Sequence, residues 1–272
     1  MNTILQGDAL AVLKTFPDES VDCVITSPPY WGLRDYDHID QLGLESYPLK
    51  YIERMCDIFS EVKRVLKMEG TCWVVIGDTY DKQKNLLQIP ARFAIAMQER
   101  GWKLRNEIIW CKPNAMPSSV KDRFSVDFEK VFFFTKSKEY FFEQAMEESK
   151  NREDNEYRVN LRKSKDYKNK KPYQGNFPKS FQIGKRNKRT VWNVATKPYT
   201  GAHFAVFPEK LIYPMIQSGC PHWGIVLDPF MGAGTTGVVA KKLGRKWLGI
   251  ELNPEYIKMA SERIEKTQNP LF

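Results

Sequence analysis

The chain has 272 residues, a net charge of +9 and a hydrophobic fraction of 42%. This length is enough for one large domain, or for one domain with an insertion, around a sizeable core. The sequence contains no run of about 18 apolar residues, so it predicts no membrane span, and its first residues lack the pattern of a signal peptide. We therefore expect a cytoplasmic protein.

The five cysteines are odd in number and irregular in spacing. Four of them lie in apolar stretches, which favours buried thiols over disulfide bonds. Cys220 and His222 are close in sequence, but a structural zinc site needs four ligands. We therefore predict no metal site.

Positive charge is concentrated in residues 150–190, which hold 14 Lys or Arg and 4 Asp or Glu. This segment carries a charge of +10 (14 − 4), so the rest of the chain, at −1 (9 − 10), is close to neutral. A basic block in a neutral body indicates contact with a polyanion. A solvated loop is the alternative interpretation.

The first half of the chain predicts alternating strands and helices. Residues 21–26 predict a strand, which ends at Ser27-Pro28-Pro29-Tyr30 because two prolines cannot continue a central strand. Apolar residues at three- and four-residue spacing predict a helix over residues 49–67, which Gly70 should end. The other predicted elements are strands at 71–76, 107–111 and 130–134 and a helix at 90–100, ended by Gly101.

The periodicity fades from residue 136 to 189, which indicates an insertion of irregular structure. Regular patterns then return as a helix at 207–218, a strand at 225–227, a helix through Lys242, a strand at 246–250 and a helix from Asn253 to about Lys266. Apolar strands that alternate with helices predict an α/β fold, with a mostly parallel sheet covered by helices on both faces.

A glycine-rich turn follows the strand at 225–227 and opens the next helix. It contains glycines at positions 232, 234 and 237, which let the backbone turn sharply and let a ligand lie against it. Glu251, at the end of the next strand, can accept hydrogen bonds from both hydroxyls of a ribose. The pattern predicts a nucleoside-containing cofactor at the carboxyl edge of the sheet; a glycine turn without a ligand is the alternative.

The glycine pattern is compatible with NAD and with S-adenosylmethionine. Asp228 and Pro229 come directly before the glycines. An acid at this position repels a pyrophosphate but attracts a cationic ligand. The turn therefore favours S-adenosylmethionine, which carries a sulfonium and an ammonium group.

Two motifs resemble those of one enzyme family. The stretch from Thr26 to Tyr30 resembles the catalytic motif of the amino-methylating DNA methyltransferases, and the stretch from Asp228 to Thr236 resembles their cofactor loop. The catalytic motif precedes the basic region and the cofactor loop follows it, an order similar to that of the circularly permuted beta group. The resemblance covers most of the chain, because it extends to residues 7–8, 65–70 and 203–208.

The resemblance implies a Rossmann-like S-adenosylmethionine-dependent methyltransferase fold with permuted motif order. It implies a catalytic domain of residues 1–135 and 191–272 and a basic target-recognition insertion of residues 136–190. The catalytic residues it predicts are Ser27, Pro28, Pro29 and Tyr30. The cofactor-binding residues are Asp8, Asp228, Pro229, Phe230, Gly232, Gly234, Thr235 and Glu251. The DNA phosphate contacts are Lys185, Arg186, Lys188 and Arg189.

Three further residues have two interpretations each. Trp31 belongs either to the core or to the wall of the pocket. Asp78 either lines a pocket for the base or caps a turn. His203 lies either near the cofactor or at the surface.

The catalytic motif suits methylation of an exocyclic amino group, whose lone pair is delocalised into the ring. The Ser27 hydroxyl and the Pro28 carbonyl are acceptors, and hydrogen bonds to them would shift the amino nitrogen toward a reactive lone pair. Tyr30 can stack on a base flipped out of the helix, and proximity supplies much of the acceleration. Carbon-5 methylation needs a Pro-Cys nucleophile, whereas this chain has only Cys220-Pro221.

Serine at position 27 resembles the cytosine-specific members, whereas aspartate is the commoner adenine form. We therefore expect a site-specific DNA methyltransferase that acts on the N4 amino group of cytosine, with N6-adenine methylation as the alternative. An NAD-dependent oxidoreductase, a non-catalytic nucleic-acid-binding protein and an RNA or protein methyltransferase are weaker alternatives. The expected partner is double-stranded DNA, with a cognate restriction endonuclease as a further candidate. The expected state is a monomer or a homodimer.

Overall fold

The computed structural model describes residues 2–33, 41–148, 185–196 and 207–268. The chain divides into two compact units, a larger one of residues 1–143 and 190–272 and a smaller one of residues 144–189. The interpretations of His203 and of most of the basic segment lie outside the described residues.

The described residues form ten strands and six helices. The strands are β1 (Thr3–Gln6), β2 (Val21–Thr26), β3 (Leu66–Ile76), β4 (Lys103–Cys111), β5 (Phe128–Thr135), β6 (Met146–Glu148), β7 (Lys185–Asn187), β8 (Val191–Asn193), β9 (Ile225–Asp228) and β10 (Lys246–Glu251). The helices are α1 (Ala9–Leu13), α2 (Pro48–Val65), α3 (Ile89–Glu99), α4 (Glu209–Gly219), α5 (Thr235–Lys242) and α6 (Pro254–Glu265). None of these helices has both the length and the apolar character needed to cross a membrane.

Eight strands form one sheet in the order β1-β10-β9-β2-β3-β5-β4-β8. Neighbouring strands are parallel except around β5, which runs antiparallel to β3 and to β4. β6 and β7 form a separate antiparallel pair in the smaller unit. The predicted α/β fold with a mostly parallel sheet is confirmed.

Each face of the sheet has its own apolar core, because side chains alternate between the faces along a strand. In β2, Val24 belongs to a core that also contains buried residues of α1, α2 and α3. Its neighbours Cys23 and Ile25 belong to the other core, which contains buried residues of α4, α5 and α6. Burial on both faces explains why these strands appear as continuous apolar runs in the sequence.

Every predicted strand and helix is present, with boundaries shifted by a few residues, but other features differ from the predictions. The short elements β1, α1, β6, β7 and β8 have no counterpart among the predictions, because none of them contains a long apolar run. The irregular structure predicted for residues 136–189 is therefore wrong at β6 and β7, which pair as antiparallel strands. The prediction that Gly70 ends a helix is wrong, since α2 ends at Val65 and β3 runs through Gly70. A Cβ at Gly70 would lie 2.6 Å from Leu66 Cδ1, so this glycine makes room for a neighbouring side chain.

The fold creates a crevice at the carboxyl ends of two neighbouring strands, β2 and β9. The helix after β2 covers one face of the sheet, and the helix after β9 covers the other. Ligands of open α/β sheets bind at such a switch point. The segments that follow β2 and β9 are the two motifs found in the sequence, so the fold brings both motifs to one crevice.

Candidate active site

The glycine turn after β9 has two glycines in the left-handed region, Gly232 at φ +48° and Gly234 at φ +77°. A Cβ at Gly232 would meet only a backbone oxygen 3.9 Å away, so the turn is open at this point. A Cβ at Gly234 would lie 2.8 Å from the Cβ of Ala260, so this glycine lets α5 begin close to α6. Gly232 therefore offers open backbone to a ligand, whereas Gly234 allows the helices to pack.

Glu251 ends β10 beside this turn. Its carboxylate accepts hydrogen bonds from the backbone N–H groups of Gly232 (2.7 Å) and Asn253 (2.9 Å). Burial raises the pKa of Glu251, although these hydrogen bonds act in the opposite direction. Each carboxylate oxygen has more than one acceptor position, so Glu251 can still accept hydrogen bonds from ribose hydroxyls.

Asp8 follows β1, the strand next to β10, and so lies at the same edge of the sheet as Glu251. Its Oδ1 accepts a hydrogen bond from the N–H of Ala11 (2.9 Å) and caps α1. The N–H of Gly7 donates to the carbonyl of Glu251 (3.0 Å), which ties the two segments together.

Asp228 is fully buried at the end of β9. Its Oδ1 accepts hydrogen bonds from the Thr26 hydroxyl (2.6 Å) and the Phe230 N–H (3.0 Å), and its Oδ2 accepts one from the Thr236 hydroxyl (2.7 Å). Burial raises the pKa of Asp228 to about 6, although these hydrogen bonds oppose the shift. The carboxylate therefore joins the end of β2, the glycine turn and the start of α5 from inside the protein.

The other predicted cofactor residues differ in how open they are. Pro229 is buried, and Phe230 is half-buried and packs against the core beside α1, α2 and α3. Thr235 is buried, and its hydroxyl accepts a hydrogen bond from Nη1 of Arg263 in α6 (2.9 Å). Of these three residues, Phe230 keeps exposed surface at the turn.

The tetrapeptide after β2 is held in place through its backbone. The carbonyl of Pro29 accepts a hydrogen bond from the Tyr51 hydroxyl of α2 (2.9 Å). Pro28 is buried, whereas Ser27 is half-buried. Because β2 and β9 are neighbours, the tetrapeptide and the glycine turn follow the carboxyl ends of adjacent strands.

Tyr30 belongs to a network that no sequence motif indicated. Its hydroxyl accepts a hydrogen bond from Ser27 Oγ (3.3 Å) and donates one to Oε2 of Glu129 (2.9 Å). Glu129 also forms a close ion pair with Lys112. The ring lies against Gly77, where a Cβ would be 2.7 Å from Tyr30 Cε2. Burial, together with the charge of Glu129, raises the pKa of Tyr30 well above its ordinary value, so the phenol stays protonated.

Glu129 and Lys112 carry a positional signal in the sequence. Lys112 directly follows the strand predicted at 107–111, and Glu129 directly precedes the strand predicted at 130–134. If these strands pair as antiparallel neighbours, both residues come to the edge that carries the tetrapeptide. The structure has this pairing, with Cys111 opposite Phe128.

Asp78 and Trp31 have contacts that favour one of their two interpretations. Asp78 Oδ1 accepts hydrogen bonds from the N–H groups of Thr79 (2.9 Å) and Ile89 (3.0 Å), at the start of α3. Trp31 packs against the core and donates from Nε1 to the carbonyl of Glu45 (2.9 Å). These contacts agree with capping for Asp78 and with packing for Trp31.

The four predicted phosphate contacts lie in the smaller unit, on β7 and the two residues after it. Oε1 of Glu147 in β6 accepts hydrogen bonds from Nε of Arg186 (2.8 Å) and of Arg189 (3.1 Å). Burial alone would raise the pKa of Glu147, but the two arginines lower it overall. Glu147 thus holds these guanidinium groups side by side, with the Arg189 side chain 66% exposed.

The comparisons with known sequences agree on one family. The sequence profile of the N6/N4 DNA methylase family matches residues 21–262. The Type II methyltransferase M.Cfr9I of Citrobacter freundii is 43% identical over 97% of this chain and 87% of the relative. The Type II methyltransferase M.SmaI of Serratia marcescens is 39% identical over 96% of this chain and 90% of the relative.

The comparisons with solved structures agree on the fold. The PvuII DNA methyltransferase, described as cytosine-N4-specific, has a TM-score of 0.71 and 23% identity over 96% of this chain and 85% of that chain. The S-adenosylmethionine complex of M1.HpyAVI has a TM-score of 0.62 and 21% identity over 97% and 99%. The predicted Rossmann-like methyltransferase fold is confirmed. The chain belongs to the N6/N4 family of DNA methylases, S-adenosylmethionine-dependent enzymes that methylate amino groups of bases in DNA.

Proposed function

We propose that this protein is a site-specific DNA methyltransferase that transfers a methyl group from S-adenosylmethionine to the N4 amino group of cytosine. The observation that carries the proposal is the position of Ser27, a half-buried hydroxyl at the end of β2 beside the turn of β9. One crevice thus holds an acceptor for an amino group and a turn suited to a nucleoside cofactor.

The residues of the turn fit S-adenosylmethionine. Gly232 is open to a ligand, and Glu251 has acceptor positions for the ribose hydroxyls. Asp228 places a buried negative charge behind the turn, which attracts a sulfonium and an ammonium but repels a pyrophosphate. When bound, S-adenosylmethionine supplies a methyl group that its sulfonium has already activated. The same charge makes NAD the weaker candidate.

The tetrapeptide supplies the groups that act on the base. The Ser27 hydroxyl and the Pro28 carbonyl would accept hydrogen bonds from the amino group and localise its lone pair on nitrogen. The ring of Tyr30 would stack on the base after it has left the helix. Holding the base and the methyl donor in one crevice makes the transfer effectively intramolecular, so proximity supplies much of the acceleration.

Cytosine is favoured over adenine by the serine at position 27, because aspartate is the commoner residue in the adenine form of the motif. The PvuII neighbour, described as cytosine-N4-specific, supports the same choice. The acceptor chemistry suits either amino group. N6-adenine methylation is therefore the second candidate function.

The proposal includes a division of roles along the chain. Residues 1–135 and 191–272 would carry catalysis, and residues 136–190 would read the DNA sequence, with the four basic residues at 185, 186, 188 and 189 on the phosphates. The substrate would be double-stranded DNA in the cytoplasm, and the enzyme would act as a monomer or a homodimer. The names of the Type II relatives support a cognate restriction endonuclease as a partner.

Two measurements on the purified protein test the enzyme class. In calorimetric titrations, S-adenosylmethionine should bind and NAD should not. With labelled S-adenosylmethionine, the label should enter mixed-sequence double-stranded DNA and not RNA or protein. NAD binding without S-adenosylmethionine binding would favour an oxidoreductase, and label in RNA or protein alone would overturn the DNA substrate. DNA binding without cofactor binding would indicate a non-catalytic protein.

A further inference from the structure

A line of hydrogen bonds in the larger unit leads from Ser27 to an ion pair beyond Tyr30. Ser27 Oγ lies 3.3 Å from the Tyr30 hydroxyl, which lies 2.9 Å from Oε2 of Glu129. The other carboxylate oxygen of Glu129 accepts from the ammonium of Lys112. Lys112 lies over the ring of Trp110, with Nζ 4.5 Å from the ring centre, which helps to hold the ammonium in place.

The carboxylate at the end of this line sets the direction of each hydrogen bond. Glu129 is paired with Lys112 and offers only acceptors, so the Tyr30 hydroxyl must donate to it. The Tyr30 oxygen then accepts from the Ser27 hydroxyl, whose own proton is committed to this bond. Both lone pairs of the Ser27 oxygen are left to accept, as hydrogen bonding to an amino group requires.

We propose that Glu129 is a positioning residue that keeps Ser27 an acceptor and takes up the proton released by the methylated amino group. This inference rests on the proposed amino-methyltransferase function and deepens it. It assigns a role in the reaction to Glu129 and Lys112, which lie outside the tetrapeptide and the glycine turn.

The bonds and protons of this step balance. The nitrogen–methyl bond forms as the sulfur–methyl bond breaks, and the electron pair of the broken bond stays on sulfur, which becomes a neutral thioether. The amino nitrogen becomes positively charged and gives one proton to Ser27 Oγ. The Ser27 proton moves to Tyr30 and the Tyr30 proton moves to Glu129, so both hydroxyls remain neutral. Glu129, with its side chain 19% exposed, then releases the proton to water.

The surroundings of Tyr30 favour a proton relay through its hydroxyl over a mechanism in which the tyrosine first ionises. Burial, reinforced by the charge of Glu129, raises the pKa of Tyr30 well above its ordinary value. The phenol therefore gives up its proton only as it receives another from Ser27. The hydrogen-bonded order of Ser27, Tyr30 and Glu129 provides for this exchange.

The test is Glu129→Gln in single-turnover methyl transfer to DNA that contains the mapped modification site. Glutamine keeps the side-chain length, but its amide N–H can donate to Tyr30 and so reverse the direction of the line. The transfer rate should fall about 100-fold, the scale of a missing general base, while the Kd for S-adenosylmethionine stays unchanged. Tyr30→Phe should cause a similar loss, and the double variant should lose little more, because the two residues act in one line.

Glu107→Gln is the matched control. Glu107 pairs with Lys130 (2.7 Å) across the same two strands, β4 and β5, but lies outside the line from Ser27 to Lys112. This variant should transfer the methyl group at the wild-type rate. A Glu129→Gln protein that fails to fold would also fail to bind S-adenosylmethionine. In that case the Tyr30→Phe variant provides the test.

A solvent isotope effect distinguishes proton transfer from a structural role for Glu129. The wild-type protein should transfer the methyl group more slowly in D₂O, and the Glu129→Gln and Tyr30→Phe variants should lose this difference. A wild-type rate in Glu129→Gln, an isotope effect that persists in it, or no isotope effect in the wild type would each overturn the inference. If the wild-type protein methylates no base in DNA, the proposed function fails instead.

Discussion

Ser27 is the residue on which the proposed amino chemistry depends, since its hydroxyl is the proposed acceptor for the amino group of the base. Ser27→Ala removes that acceptor and leaves the backbone, so single-turnover methyl transfer should fall about 100-fold, the scale of losing one transition-state hydrogen bond. The Kd for S-adenosylmethionine should stay nearly unchanged. Ser60→Ala is the control, because it removes a hydroxyl that donates to the Cys56 carbonyl within α2 (2.8 Å). An unchanged transfer rate in Ser27→Ala would place the acceptor elsewhere.

Glu251 is the residue that should determine cofactor affinity. Glu251→Ala removes the ribose acceptor and the partner of the Gly232 N–H, so the Kd for S-adenosylmethionine should rise at least about tenfold. Because burial raises the pKa of Glu251, the wild-type carboxylate takes up a proton at a higher pH than an ordinary glutamate. Wild-type affinity should therefore weaken on acidification, and this dependence should be absent from the variant.

Calorimetric titrations over a series of pH values measure both effects of the Glu251 substitution. Glu255→Ala is a suitable control, because Glu255 is an exposed acid in the first turn of the neighbouring helix α6. If Glu251→Ala bound the cofactor as tightly as the wild type, another carboxylate would have to hold the ribose.

At the scale of elements, Asp228 joins β2, the glycine turn and α5 through its three hydrogen bonds. Its pKa is about 6 in the folded protein, against 3.8 for an ordinary aspartate. The folded state therefore binds this proton more tightly than the unfolded state. The resulting stabilisation is fully present below about pH 4 and is lost as the pH rises through 6; it amounts to roughly 3 kcal/mol at 1.36 kcal/mol per pKa unit.

Asp228→Asn should remove this pH dependence. The asparagine oxygen keeps an acceptor for Thr26 and Phe230, and its amide can donate to the Thr236 hydroxyl. Relative to the wild type, both without cofactor, the free energy of unfolding of the variant should therefore increase by roughly 3 kcal/mol as the pH rises from about 4 to about 7. Denaturant unfolding at each pH measures it. A constant difference over this range would contradict the raised pKa of Asp228.

The sequence predicts the long elements well because their physical signals are local. The strands β2, β3 and β9 are buried on both faces, so they appear as apolar runs, and Asn253 marks the start of α6 with its side chain bonded to the N–H of Glu255 (2.8 Å). Gly70 misleads because a glycine after a helical pattern resembles a cap. A glycine is needed at this position because the backbone lies close to the Leu66 side chain, a contact that only the folded strand reveals.

The candidate site also has a part that local sequence signals predict and a part that they do not. The tetrapeptide and the glycine turn are contiguous in sequence, so each could be found as a motif. The contact between Tyr30 and Glu129 joins residues 99 positions apart and depends on β5 running antiparallel to its neighbours. The burial of Asp228 is equally non-local, because its partner Thr26 lies 202 positions away. Contacts of this kind need the topology and not only the sequence pattern.

At the scale of the whole molecule, the uneven charge should govern DNA binding. Replacing Lys185, Arg186, Lys188 and Arg189 by Gln should flatten the slope of log affinity against log salt by about 0.9 for each phosphate that the protein no longer neutralises. The charge-matched control replaces four exposed lysines of the larger unit, at the amino edge of its sheet: Lys14, Lys103, Lys246 and Lys266. Equal slopes for the two variants would place the phosphate contacts elsewhere.

Amino methylation of cytosine in DNA can be tested by identifying the methylated nucleoside itself. Double-stranded DNA of mixed sequence is incubated with the protein and S-adenosylmethionine, digested to nucleosides and analysed by mass spectrometry. The expected product is N4-methylcytosine. N6-methyladenine would keep the enzyme class but contradict the target base. No methylated nucleoside, from a protein that binds S-adenosylmethionine, would contradict the proposed function as a whole.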